Sequence, residues 1–283
     1  MVESNLDIDH LRSWIGRTEM ASDLLTDRLA AELRATLATG PGASRPGGGE
    51  AVSLSAHWCL TPLIVPGTAL GPDGHPARGG FLPPVPLPRR MWAGGELRFH
   101  DRLRVGDVVN RHSRIADVSV KTGRSGTLCF VTVEHEITTL RGPTITERHD
   151  IVYRGIEIDA KPATSTSRKV PQFCFEMNTD PVTLFRYSAL TFNGHRIHYD
   201  RRYVTEVEHY PGLIVHGPLQ ATLLIELAEQ IEGRPPVRFS FRGVAPLFDS
   251  VPFSLCATRR HDGLDLWIET AEGMKTMQAE ALL

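Results

Sequence analysis

Apolar residues recur with helical spacing at Leu25, Leu29, Leu33 and Leu37, and predict a helix over residues 22–38. Ser22 or Thr26 would cap its start, and Gly40-Pro41 would stop it. A glycine-rich loop follows at 42–50. From Leu63 to Gly95 proline and glycine crowd the chain, most densely in Leu82-Pro83-Pro84-Val85-Pro86-Leu87-Pro88. Proline lacks an amide donor and fixes its own backbone, so this stretch argues against both helix and central strand. Phe81, Met91 and Trp92 within it predict an ordered, packed loop.

From Glu96 to Gly155 the pattern turns to β. Strands are predicted at Val108–Val118, Thr127–Thr138 and Thr144–Tyr153, separated by turn signals at 121–126 and at Arg141-Gly142-Pro143. Small polar residues over 159–170 read as a linker between an N-terminal half (1–158) and a C-terminal half (171–283). The second half repeats the order, with an apolar helix at Pro218–Ile231 and then strands at 237–243, 251–259, 264–270 and 274–282. Phe99 precedes Asp107 by the same eight residues that separate Phe241 from Asp249, and each Asp opens a strand after a loop. The repeated helix-then-sheet order and this echo predict a duplicated α+β domain.

Composition narrows the function. With 283 residues, 41% hydrophobic and 23% charged, the chain has enough apolar material for two ordinary cores. A formal net charge of −2 argues against a nucleic-acid binder, so an anionic ligand must be held by local arginines. Cys59, Cys129, Cys174 and Cys256 are far apart and sit mostly in apolar runs, which reads as reduced, buried thiols with neither a zinc site nor a disulfide framework. The acidic N-terminus carries no apolar signal region, and no apolar run is long enough to cross a bilayer. A cytoplasmic protein without membrane partners is expected.

Chemistry concentrates in Arg186-Tyr187-Ser188-Ala189-Leu190-Thr191-Phe192-Asn193-Gly194-His195-Arg196-Ile197-His198-Tyr199-Asp200. The stretch begins strand-like, breaks at Asn193-Gly194, and ends at Asp200, a suitable N-cap for a short helix at 201–206. Ile214-Val215-His216-Gly217-Pro218 then leads into the apolar helix, where a bare glycine amide at the N-terminus would donate to a developing oxyanion. Neutral imidazole suits proton transfer near neutral pH.

These residues resemble the motif of the MaoC-like (R)-specific enoyl-CoA hydratases, Asp-x-Asn-Pro-apolar-His-x-Asp followed downstream by His-Gly. His198 falls on the family's acid/base His, Asp200 on its trailing Asp, and His216-Gly217 on the downstream pair. Asn193, His195 and Arg196 replace the family's Asp, Asn and Pro. The variant Phe-Asn-x-His-Arg-Ile-His-Tyr-Asp and the block from Gly80 to Gly95 are closer to mitochondrial-type hydroxyacyl-thioester dehydratases and bacterial itaconyl-CoA/mesaconyl-CoA hydratases.

The resemblance implies a double hotdog, in which two antiparallel sheets each wrap a helix and the C-terminal half carries the chemistry. It implies reversible water addition to an α,β-unsaturated acyl-CoA, with a short dicarboxylic acyl group favoured. His198 is then the acid/base and the Gly217 amide the oxyanion donor. Asn193 orients the water, since an amide cannot take its proton. Arg90, Arg196, His195 and His216 are expected at the substrate, with Arg90 reading its carboxylate. His195 and Asp200 are further candidates to replace the missing carboxylate. No metal and no cofactor beyond the CoA thioester is expected, and the chain is expected to form a homodimer.

Plainer readings stand beside these. His198 could be a histidine held by one hydrogen bond, Asn193 a turn former and Gly217 a helix-start glycine. His195, His198, His209 and His216 match no standard zinc spacing. Arg89-Arg90 and Arg201-Arg202 could be solvated charges. Rival functions are a fatty-acid-type (R)-3-hydroxyacyl-thioester dehydratase, a hotdog thioesterase and an inactive acyl-CoA-binding protein.

Overall fold

The structure is a computed structural model that describes residues 6–41, 52–123, 126–155 and 170–283. The expected 42–50 loop and all but the last residue of the expected linker lie outside the described residues. In chain order the elements are α1 (Ile8–Arg12), β1 (Thr18–Leu24), α2 (Asp27–Thr36), β2 (Arg89–Phe99), β3 (Val108–Gly123), β4 (Gly126–Thr139), β5 (Gly142–Arg154), β6 (Phe173–Met177), α3 (Pro181–Leu190), α4 (Arg201–Glu206), α5 (Gly217–Glu232), β7 (Arg238–Gly243), β8 (Phe253–Arg260), β9 (Gly263–Thr270) and β10 (Lys275–Leu282).

All ten strands form one sheet in the order β1-β3-β4-β5-β2-β7-β10-β9-β8-β6. Outward from the middle, each half runs through its strands in the same sequence, and every pairing is antiparallel. The halves join where β2 meets β7, with Leu97 directly opposite Phe239 and neither side chain exposed. Phe99 and Phe241 stand as far apart along the chain as Leu97 and Phe239, so the echo in sequence coincides with the centre of a two-fold-like sheet. This is a double hotdog.

The strand β2 corrects an expectation, since a central strand begins immediately after the proline run. It is admitted by Gly94 and Gly95. A Cβ on Gly94 would meet the Phe241 carbonyl oxygen at 2.5 Å, and one on Gly95 the Arg148 oxygen at 2.4 Å. The glycines that look like loop residues in sequence let two neighbouring strands close on β2 from either side. The helix expected over 22–38 is shorter. Residues 18–24 alternate in exposure and pair with β3, and Thr26, not Ser22, caps α2 by accepting from the Leu29 amide.

α5 is the apolar helix of the C-terminal half. Leu223, Leu224, Ile225 and Ala228 are buried in a cluster shared with β7–β10, and Gly233, at φ +68°, ends the helix in the left-handed region. The N-terminal half departs from the expected pattern. Its helix α2 packs against α3 and the 3-10 turn Ala56–Cys59. The inner face of its sheet meets instead the proline-rich segment, whose Val85 and Leu87 pack on Cys129, Val131, Val133 and Tyr153. That segment stands at the place in the chain order that α5 holds in the other half. Extended, proline-stiffened backbone fills less of the concave face than a helix would, and a cavity of about 1370 Å³ remains between the halves.

Cys59, Cys129 and Cys256 are buried, as the sequence suggested, but Cys174 is exposed. It faces Cys256 across β6 and β8, with the sulfurs 3.8 Å apart. Among the described residues no helix is long and apolar enough to cross a membrane.

Candidate active site

The motif segment enters the site from a helix, not a strand. Asp180 accepts from the Thr183 amide and Pro181 occupies the first turn, so α3 starts before the apparently strand-like residues 186–190. The helix ends in a Schellman turn, in which the Asn193 amide donates to Ser188 O at 2.8 Å and the Phe192 amide to Ala189 O at 3.3 Å. Phe192 holds the left-handed position at φ +50°, where glycine is usual. This turn directs Asn193 toward the cavity, which it lines with His195, His198 and Gly217.

His198 ends a 3-10 turn and is buried. Its Nδ1 lies 2.7 Å from the Ile214 carbonyl, which can only accept, so Nδ1 carries the proton and Nε2 is the open nitrogen of the neutral ring. The Ile214 amide returns a bond to Ile197 O at 3.0 Å, tying the two motif stretches together. Beneath His198 the ring of His216 stacks at 3.7 Å between centroids, and His216 Nε2 is 2.8 Å from the Ser188 hydroxyl. Burial pushes the His198 pKa down to about 4, partly opposed by the Ile214 bond and helped by nearby His75. The imidazole is therefore a neutral base at pH 7.

Gly217 is the first residue of α5, where its amide has no intrahelical acceptor and Pro218 offers no donor. A Cβ there would only touch Trp92 at 3.7 Å, so packing does not require glycine. The Asn193 Oδ1 is already engaged by the His195 amide at 3.0 Å, which leaves its amide nitrogen for other partners.

Arg90, paired in register with Tyr153, also lines the cavity. Its guanidinium interacts with the Tyr153 phenol and acts electrostatically on His75 and His195. Its neighbour Arg89 is not solvated. It is buried, donates to Glu208 at 3.0 Å and lies over the Tyr210 ring.

Two expected substrate contacts are corrected. Arg196 is not on the cavity wall; it donates to Asp200 at 2.8 and 3.0 Å and to Pro72 O at 3.0 Å, and it covers Tyr203. His216 lies fully buried beneath His198, also off the wall. Asp200, offered as a substitute carboxylate, is taken up by Arg196 and by capping α4 through the Tyr203 amide. Asp249 holds the loop before α5, accepting from the Leu213 amide and from Arg201.

One carboxylate beside the motif comes from the other half. Asp73 and His75 lie on the turn Gly71-Pro72-Asp73-Gly74-His75, and the His75 ring is 4.1 Å from that of His195. His75 Nδ1 lies 3.2 Å from Asp73 Oδ2, and the His75 amide donates to Asp73 Oδ1 at 3.1 Å. Burial works against the ionised carboxyl, but the bonds and charge of His75 hold Asp73 well below the ordinary range. The turn docks on the motif by backbone contact, with the Arg196 amide 2.9 Å from Asp73 O. Gly74 and Gly194 touch so closely that a Cβ on Gly74 would lie 2.0 Å from the Gly194 oxygen. Only the Asp-Gly-His turn itself hinted at this in sequence.

A second polar group lines the N-terminal wall. Glu147 accepts from Trp58 Nε1 at 2.7 Å and pairs with His57 and His149, while His135 joins His149 to Ser113. Burial would raise the Glu147 carboxyl, but the two histidines more than offset it and hold it well below the ordinary value. Two sets bring donor atoms within 4.8 Å of one another, a spacing a metal could use, namely Asp73, His75 and His195, and His135, Glu147 and His149. Hydrogen bonds within each set already join some of its members.

The comparisons with known proteins agree with this architecture. A MaoC-like dehydratase from Phytophthora capsici superposes with a TM-score of 0.70 at 14% identity, covering 98% of this chain and 97% of that one. A Mycobacterium tuberculosis protein described as a double hotdog gives 0.56 at 13% identity, over 95% and 96% of the two chains. The fold is thus that of the hotdog dehydratases. The model of the hydroxyacyl-thioester dehydratase type 2 family matches residues 55–249, and the chain belongs to that family. Mesaconyl-C(4)-CoA hydratase of Chloroflexus aurantiacus is 44% identical over 269 residues, 94% of this chain and 95% of that one. The mitochondrial hydroxyacyl-thioester dehydratase type 2 of Schizosaccharomyces pombe is 29% identical, over 75% and 79%. The chain is an enzyme of the hydro-lyase class, a hydratase/dehydratase.

The Gly74–Gly194 contact can be tested directly. Gly74→Ala adds a methyl into backbone at a φ of +86° and is expected to cost about 1–3 kcal/mol or more. Gly67→Ala, with open space around it, should stay within about 0.5 kcal/mol. Chemical denaturation of the two variants measures the difference.

Proposed function

We propose that the enzyme adds water reversibly to a short dicarboxylic α,β-unsaturated acyl-CoA of the mesaconyl or itaconyl type. The observation that carries this reading is Arg90, whose cation lines the same cavity as His198 and Gly217. A substrate carboxylate in a mostly apolar cavity needs such a partner, because an unpaired buried charge costs several kcal/mol. The 44% identity to a mesaconyl-C(4)-CoA hydratase supports the same choice.

In the hydration direction the water oxygen bonds to Cβ while its proton passes to Nε2 of His198. The C=C electron pair moves toward the thioester, and the resulting enolate oxygen is held by the Gly217 amide. The proton then moves from His198 to Cα, so the step balances with the CoA thioester alone. Asn193 donates through its amide nitrogen to the water. The reading includes a cytoplasmic homodimer, which sedimentation of the purified protein would check for its oligomeric part. The family match and the yeast relative favour a second substrate, a fatty-acid-type 3-hydroxyacyl thioester. Turnover on short, long and dicarboxylic enoyl-CoAs decides between them.

His198→Ala should lower turnover by about a hundredfold or more. Because burial depresses its pKa, the wild-type base stays active as pH falls through the usual imidazole range and is protonated only near pH 4. A pH–rate profile that lost activity around pH 6.5 instead would assign the limb to another group.

Asn193→Ala should reduce kcat with little change in KM, whereas full activity would remove the orienting role. Arg90→Met should cut kcat/KM for the dicarboxylic substrate by about tenfold or more and leave crotonyl-CoA nearly unaffected. Equal loss on both substrates would make Arg90 a structural residue or a contact to CoA.

A further inference from the structure

Water addition of the kind proposed above needs a water held from every side. One lone pair must face Cβ, and both hydrogens need acceptors in a site that excludes bulk solvent. His198 Nε2 accepts one hydrogen. Asn193 Oδ1 already accepts from the His195 amide at 3.0 Å, which leaves it one lone pair, and its Nδ2 only donates. A second acceptor with its lone pair fixed in direction stands across the cavity, on the N-terminal half.

We propose that His75, delivered by the N-terminal half and fixed by Asp73, is that acceptor, so that His75 is a catalytic residue and Asp73 its positioning residue. The inference rests on the hydratase reading and supplies what its motif lacks. Asp73 Oδ2 lies 3.2 Å from His75 Nδ1, and an ionised carboxylate can only accept, so Nδ1 carries the hydrogen and Nε2 presents a lone pair. The carboxylate–imidazole arrangement fixes both the tautomer and the ring orientation. His75 lines the cavity, its ring is 4.1 Å from that of His195, and His195 is 5.4 Å from His198. His75 also lies close enough to His198 to lower its pKa electrostatically.

The Gly74–Gly194 contact and the Arg196 amide bond to Asp73 O hold the turn against the motif, so the position of His75 does not depend on a loose loop. The bond that forms and the proton that moves are unchanged from the step above. His75 accepts the hydrogen that stays on the new hydroxyl, and it takes no proton.

Around His75 stand Asp73 and Arg78 on its own segment, Arg90 on β2, and His195 and His198 on the motif segment. Burial lowers its pKa, Arg90 and Arg78 lower it further, and Asp73 raises it. Removing the Asp73 charge must then move protonation of His75 to lower pH.

Asp73→Asn keeps an oxygen for the His75 amide while removing that charge and the fixed tautomer. Its kcat for the enoyl-CoA that the wild type hydrates best should fall by about tenfold or more, as is typical for loss of an orienting partner, with KM little changed. His75→Phe, which keeps a ring without an acceptor, should lose at least as much kcat and no longer respond to a second Asp73→Asn change. A kcat within about twofold of wild type in Asp73→Asn, or a His75→Phe variant that loses as much again on the Asp73→Asn change, overturns the inference while leaving the hydratase reading intact. A wild type that hydrates no enoyl-CoA overturns both.

Discussion

The antiparallel pairing of β2 with β7 is the constraint on which the rest of the molecule depends. It makes one sheet of two halves and fixes them back to front about the Leu97–Phe239 pair. Because backbone hydrogen bonds set this register, segments that line the cavity from each half meet at one edge of it. The proline-rich segment before β2 and the motif segment before α5 are brought together there, and Gly74 and Gly194 let their backbones touch. A register slip of one residue would turn every inward side chain outward and would separate Asp73 from His195.

The cavity exists because the two halves are unequal. In the C-terminal half α5 fills the sheet's concave face with leucine and isoleucine, while in the N-terminal half the corresponding stretch is extended backbone held by proline. The uncovered part of that face carries Glu147, His149 and Trp92, and Trp58 of the 3-10 turn Ala56–Cys59 packs edge-on against Trp92. An acyl thioester entering this space would meet apolar and polar walls together, with the open nitrogen of His198 and the Gly217 amide on the opposite side. The stacked pair His198–His216 and the bond to Ile214 hold the base with little freedom, so its orientation is set before any substrate arrives.

Much of this was legible in sequence where local rules and tertiary needs coincide. β4 alternates because only one face meets the core, and α5 announces itself through apolar residues at helical spacing between Pro218 and Ile231. Asp200 was readable as a helix cap and His198 as a motif residue. The failures share a cause, which is that the deciding interaction lay elsewhere in the chain. Gly94-Gly95 read as loop because nothing nearby shows that Phe241 and Arg148 need the space. Residues 186–190 read as strand because Asp180-Pro181, which starts the helix, lies outside the motif. Arg196 stands at the family's Pro in the motif and was expected at the substrate, but its partners Pro72 and Tyr203 could be known only from the fold. Asp73 and His75 escaped for the same reason.

The docking of the Asp73 turn on the motif segment has a bearing on how such a chain can diversify. With the proposed base and oxyanion donor in one half and the Asp73–His75 pair in the other, neither half contains the whole of the proposed reaction centre. The fusion is then more than a convenience of expression. Once the ancestral symmetry was broken, each copy was free to lose what the other retained, and neither could afterwards be discarded or exchanged alone. Substitutions near residues 71–76 and 193–196 should accordingly be inherited as a set, as in an obligate heterodimer whose subunits happen to share one polypeptide.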